Sequence, residues 1–148
     1  MKYTIRKITE GEEEVIIHYI EMTPEIERMI RLLHGEQRKL IGWDEKTSVI
    51  LEPQDILYIE SVDGRTFAYM EKQVLKLEDT LNQLEQILND INFFRCSKSM
   101  IINIDKVRTL RSMPSNRIDA TMQNGEHIVI SRTYASDFRK RLQGGRVS

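Results

Sequence analysis

The stretch Phe93-Phe94-Arg95-Cys96-Ser97-Lys98-Ser99-Met100-Ile101-Ile102-Asn103-Ile104 sets an amine and two hydroxyls in a short polar loop between aromatic and aliphatic runs. Ammonium and hydroxyl groups donate hydrogen bonds, so Ser97, Lys98 and Ser99 suit phosphates or base edges if flanking strands hold the loop rigid. An ordinary hairpin turn accounts for the same pattern, and the segment taken alone favours the turn. Cys96 with His127 is a conceivable nucleophile and base, because imidazole activates a thiol. A lone free cysteine is more often a small buried hydrophobe, so Cys96 reads as non-catalytic, with redox sensing left open. His18, His34 and His127 form no pair at metal-ligand spacing, and the sequence has no glycine-rich phosphate loop and no Gly-x-Ser-x-Gly elbow. The chain therefore reads as a non-enzyme without cofactor or metal.

Charge gives a second signal. The formal net charge is -1, but residues 1–91 carry 11 Lys+Arg against 19 Asp+Glu, a net of -8, while residues 92–148 carry 11 against 4, a net of +7. Such asymmetry points the C-terminal part toward a polyanion; two solvated faces that neutralise each other explain it equally well. With 148 residues, 40% of them hydrophobic, the chain holds one full domain or a smaller one with an appendage. A single cysteine, no apolar run near a membrane span's ~20 residues and a start without an apolar signal centre lead to the expectation of a cytoplasmic protein.

The elements that must position these residues follow from periodicity. Residues 3–8 and 14–21 are rich in β-branched and aromatic types and predict two strands. Thr23 as N-cap, Pro24 at the first position, a stripe of Ile26, Met29, Ile30 and Leu33, and Gly35 as a stop predict a helix. With a strand near 39–43 they make a small ββαβ unit over residues 1–43, for self-association, partner binding or covering a sheet edge. Strands follow at 47–52, 55–61 and 65–71, the last two joined by Asp63-Gly64, a hairpin signal because both turn positions need positive φ. Leu77, Leu81, Leu84 and Leu88 predict a helix over 77–90. Short strands then fall at 93–95, 100–102 and 107–110, and 117–123 pairs with 127–130 across Asn124-Gly125. Ser131 caps a last helix with Tyr134, Phe138 and Leu142 inward, and 144–148 reads as a flexible tail. The fold class is mainly β with α: many strands, one packed helix and a C-terminal helix.

Phe94-Arg95-Cys96-Ser97-Lys98-Ser99-Met100-Ile101-Ile102-Asn103, then Asn124-Gly125 and Val129-Ile130-Ser131-Arg132-Thr133-Tyr134, resembles the LytTR DNA-binding domain of bacterial regulators of the LytR/AlgR/AgrA kind. Asp55-Ile56-Leu57-Tyr58-Ile59-Glu60-Ser61 and the leucine helix precede it in the expected order, so the resemblance covers about residues 45–143, and the domain is taken as 44–143. It implies an elongated β fold whose strand-end loops enter successive major grooves of promoter double-stranded DNA. It carries base-reading roles to Arg65, Lys98 and Arg132, and Ser97, Ser99 and Asn103 of the same motif join the DNA-binding set. Some members have His where Arg65 stands, and Asn or His where Lys98 stands; Arg and Lys still donate well to guanine and phosphate, so the base preference is what changes. A cation at a helix start is mildly unfavourable against the dipole, which an anionic partner at Arg132 would explain. Residues 1–43 are too few for a receiver domain. The chain is thus similar to stand-alone LytTR regulators, which implies a homodimer on paired sites and a small membrane-protein inhibitor as a possible partner. The alternative is a protein-interaction adaptor whose basic half meets an acidic partner. If the Cys96 loop lies against DNA, a bulky thiol adduct is expected to block binding.

Overall fold

The computed structural model describes residues 1–33, 39–88 and 92–143. His34, the helix stop at Gly35 and the tail 144–148 lie outside them. The chain divides into two compact units, Met1–Glu36 and Gln37–Ser148.

In the first unit, helix α1 (Pro24–Leu33) starts as its sequence predicts. The Thr23 hydroxyl accepts from the Ile26 amide at 3.3 Å, and the Thr23 carbonyl from the Glu27 amide at 3.0 Å. The two expected strands are a correction: residues 3–8 and 14–21 join no ladder. Instead Met1–Thr4 and Val15–His18 line an apolar recess with Ile26, Met29 and Leu32. Strand propensity reports fit to a half-buried surface, and without a partner strand these segments stay largely exposed, Ile17 alone being half-buried. The expected third strand is also reassigned, because β1 (Leu40–Asp44) belongs to the second unit. The ββαβ unit over 1–43 therefore does not form.

The second unit is built on a seven-stranded antiparallel sheet. Its strands are β1, β2 (Thr47–Leu51), β3 (Tyr58–Val62), β4 (Arg65–Tyr69), β5 (Val74–Leu77), β6 (Phe93–Ser97) and β7 (Met100–Asn103), in spatial order β2-β1-β5-β4-β3-β7-β6. The β3–β4 hairpin closes as predicted, with Asp63 at φ 52° and Gly64 at φ 76°. Leu77, expected in a helix, ends β5 and pairs with Thr66 and Gly42. Helix α2 is correspondingly shorter (Leu81–Ile87), because Thr80 and Gln83 form a reciprocal capping box that fixes its start. Leu81, Leu84 and Leu88 are buried with Ile59, Ala68, Leu75 and Ile101 on one face of the sheet.

On the other face Tyr58, Cys96 and Ile102 are buried with a second sheet, β10-β9-β8, made of β8 (Val107–Met113), β9 (Arg117–Met122) and β10 (His127–Ile130). Helix α3 (Arg132–Gln143) completes this core. Phe138 is fully buried and meets Phe94 edge-on at 5.3 Å, whereas Leu142, expected inward, is 37% exposed and Ala135 takes the inner position.

Gly42 in β1 lies where a Cβ would come within 2.9 Å of the Leu75 Cβ and 3.0 Å of Leu51 Cδ1. Gly42→Ala is expected to destabilise the protein by ~1–3 kcal/mol through overpacking, read as a lower urea midpoint at unchanged slope.

Candidate nucleic-acid interface

Antiparallel register gathers the predicted loops at one end of the large sheet. β3 runs toward that end and β4 leaves it, with Val62 opposite Arg65. β6 reaches the same end and β7 leaves it, with Ser97 opposite Met100. Because β3 also pairs with β7, Glu60 opposite Met100, the 63–64 and 98–99 turns lie side by side. The Ser61 amide donates to the Ser99 carbonyl at 2.8 Å and ties them together. The second sheet adds the third element: the Ser131 amide donates to the Cys96 carbonyl at 2.9 Å, so the first turn of α3 starts next to the Lys98 loop.

Arg65, Lys98 and Arg132 are thereby brought to one end, all exposed. None of the three makes a side-chain hydrogen bond or ion pair with another described residue. Three other arginines of the basic half are engaged: Arg117 donates to the Pro114 carbonyl at 3.2 Å, Arg139 to Asn116 Oδ1 at 2.6 Å, and Arg111 to Asp119 at 3.5 Å, whereas Arg108 on β8 is exposed without such a bond. Ser97 and Ser99 stay in the loop, the Ser97 hydroxyl accepting from the Ser99 amide at 3.2 Å.

Asn103 is a correction. It is 1% exposed, donates through Nδ2 to the Ile56 carbonyl at 2.8 Å and accepts at Oδ1 from the Asp105 amide at 3.0 Å. It also stands at the far end of β7, about 10 Å from Met100 at strand rise, so it serves the sheet and not the loop.

Sequence reasoning passed over Arg95, which makes four side-chain hydrogen bonds. Its Nε donates to the Ser97 carbonyl at 2.8 Å and its Nη2 to the Lys98 carbonyl. Its Nη1 reaches Asn82 Oδ1 at 3.0 Å and Glu85 Oε2 at 3.1 Å on α2. No local signal announces this, since α2 lies a full connection earlier in the chain.

Cys96 and His127 are not brought together. Cys96 is the extra residue of a β-bulge between Arg95 and Ser97, which turns its thiol into the second core, where Sγ faces the Met100 carbonyl at 3.6 Å. His127 sits on the outer face of the small sheet, its Nδ1 3.1 Å from Asp119. Burial pushes the Cys96 thiol up to about 12, against smaller lowering by a backbone hydrogen bond and then by the Arg95 charge. A thiol that is both sealed and protonated offers no site for an adduct, so the expected block of the loop by alkylation is withdrawn for the folded protein.

A β fold that gathers exposed cations on adjoining turns offers a surface suited to a polyanion. The chain belongs to the LytTr DNA-binding domain family, whose pattern matches residues 46–143. A solved LytTr DNA-binding domain from Bacillus cereus superposes with a TM-score of 0.67 at 25% identity, covering 70% of this chain and 95% of that one. The sensory transduction protein LytT of Bacillus cereus is 30% identical over 108 residues, 73% of this chain and 44% of LytT. The Enterococcus faecalis LytT is 31% identical over 94 residues, 63% of this chain and 38% of that protein, so the chain spans less than half the length of either LytT. An uncharacterized HTH-type transcriptional regulator of Staphylococcus aureus aligns more fully, 25% identical over 90% of this chain and 91% of its own length.

The raised acidities have a pH consequence. Cys96 moves from 9.0 to about 12, and Tyr58 from 10.0 to about 12, first through burial and then through Glu126. The folded state holds both protons more tightly than the unfolded chain, so this contribution is complete below pH 9.0 and is lost as pH rises toward 12. Urea midpoints should fall across that interval, and Cys96→Ala should flatten the first part of the fall. Iodoacetamide at neutral pH should modify Cys96 only after denaturation, as read by intact mass.

Proposed function

We propose that the protein is a sequence-specific transcription regulator that binds promoter DNA by inserting the 63–65 turn, the Lys98 loop and the start of α3 into the major groove. The observation that carries this reading is the meeting of Arg65, Lys98 and Arg132 on one sheet end, exposed and without intramolecular partners. The groove is about 12 Å wide and admits such protrusions, and Arg or Lys pairs with guanine O6 and N7 there. Ser97 and Ser99 add short donors toward phosphate or base edges. Arg132 heads α3, where the positive end of the helix dipole together with its own charge favours an anion.

The protein acts as a homodimer on paired sites, each protomer supplying one set of loops. In support, the unit Met1–Glu36 exposes Tyr3, Ile5, Val15, Ile20 and Leu32, more apolar surface than an isolated unit normally leaves in water. Its acidic character gives phosphates no attraction, which leaves DNA contact to the basic part of the chain.

A duplex selected by the protein from a randomised library supplies the test. Affinity should fall steeply with salt, log K against log salt being linear, and a second half-site about one helical turn away should tighten binding. Arg132→Ala should weaken the selected duplex by roughly 1–3 kcal/mol with an unchanged melting temperature, and Lys98→Ala should either relax choice at one base or weaken all duplexes alike. Salt-insensitive binding, or an Arg132→Ala variant that keeps full affinity, would reject the reading.

A further inference from the structure

We infer that Arg95 is a positioning residue: its guanidinium clasps the Lys98 loop from behind and ties that loop to helix α2. The inference rests on the reading of Lys98 as a DNA contact. Three features of the geometry carry it. The Arg95 side chain is only 13% exposed although it sits beside an exposed turn. Its Nε and Nη2 point at two successive loop carbonyls, Ser97 and Lys98, while Nη1 is held by Asn82 and Glu85 on the opposite side. Neither Lys98 nor Ser99 adopts positive φ, so the turn lacks the left-handed geometry that matches strand twist, and the bulge at Cys96 takes up the difference.

A turn of that kind has little intrinsic preference for one shape. Besides Arg95, it is held by the Ser97 hydroxyl on the Ser99 amide and by the Ser61 amide on the Ser99 carbonyl. The fork of a guanidinium can fix two adjacent carbonyls and a carboxylate at once; a lysine ammonium, a single point charge, cannot. Ordering the loop before DNA arrives removes an entropic cost from binding, and it does so without Arg95 touching DNA. The clasp also gives α2 a line to the interface: a shift of Asn82 or Glu85 would move the support of Lys98. Water can replace Arg95 at the exposed Lys98 carbonyl, so its loss should loosen the loop more than it unfolds the domain.

The experiment compares the full chain with Arg95→Lys, Lys98→Ala and the double variant, using a duplex selected by the parent from a randomised library and a shuffled duplex of equal composition. Arg95→Lys should weaken the selected duplex about tenfold, the scale of lost charge-assisted hydrogen bonds, and the shuffled one by less than about twofold. In the Lys98→Ala background the same substitution should cost less than about twofold, because the loop it positions no longer reads DNA. Full additivity, or equal loss on both duplexes, overturns the proposal. Amide hydrogen exchange without DNA tests the clasp separately: Arg95→Lys should speed exchange at Ser99 and Met100 while Met122 and Ile128 stay protected. Unchanged exchange overturns the clasp. Faster exchange with Lys98→Ala inert on both duplexes overturns instead the DNA role of Lys98 and, with it, the functional half of the inference.

Discussion

Around β3, β7 and β6 the large sheet is buried on both faces, and much of the structure follows from that constraint, while β1, β2 and β5 leave one face to solvent. Ile101 packs toward α2 while its neighbour Ile102 packs toward the small sheet; Ala68 and Tyr69 divide in the same way. A slip of one residue in any central strand would exchange the two faces, so the register has no neighbouring alternative. The stacked pair Tyr58 and Tyr69, 4.6 Å apart and directly opposite in the ladder, reinforces it. Where both faces are committed to apolar contact, polar side chains are left to the strand ends. That is where Arg65, Lys98 and Arg132 stand.

A locked register makes turns into precise supports. Arg65 and Lys98 need no helix to present them, because each sits at or beside a hairpin turn whose strands cannot move relative to each other. Arg132 depends on a different joint, the backbone bond from Ser131 to the edge strand β6, backed by Phe138 against Phe94. Among the described residues the three helices are separated from one another by strands, so the helix-turn-helix label of the Staphylococcus aureus relative has no counterpart in consecutive helices here.

Several arginines of the basic half are occupied within the domain, as Arg139 is with Asn116, while the three cations at the sheet end have no such partner. Arg95 shows how a basic residue close to that end can belong to the scaffold: its charge is spent on carbonyl and carboxylate oxygens of the protein itself.

Local chemistry by itself determined the hairpin at Asp63-Gly64, the start of α1 at Thr23 and Pro24, the start of α3 after Ser131, and the polar loop around Lys98. Each depends on residues within a few positions, where φ preferences, capping groups and alternation act directly. The motif order also carried the family. Tertiary structure decided what depends on partners distant in sequence. Residues 3–8 and 14–21 have strand composition but no ladder, since a strand exists only by pairing. Leu77 fits a helical stripe and a strand end equally, and the Thr80–Gln83 box gave it to the strand. Asn103 shares a motif with Lys98 yet is drawn inward by the Ile56 carbonyl, and Arg95 finds its partners on a helix that only folding brings beside it. Spacing along a chain records which residues are near in sequence; which polar group is left facing solvent is settled by the burial of everything around it.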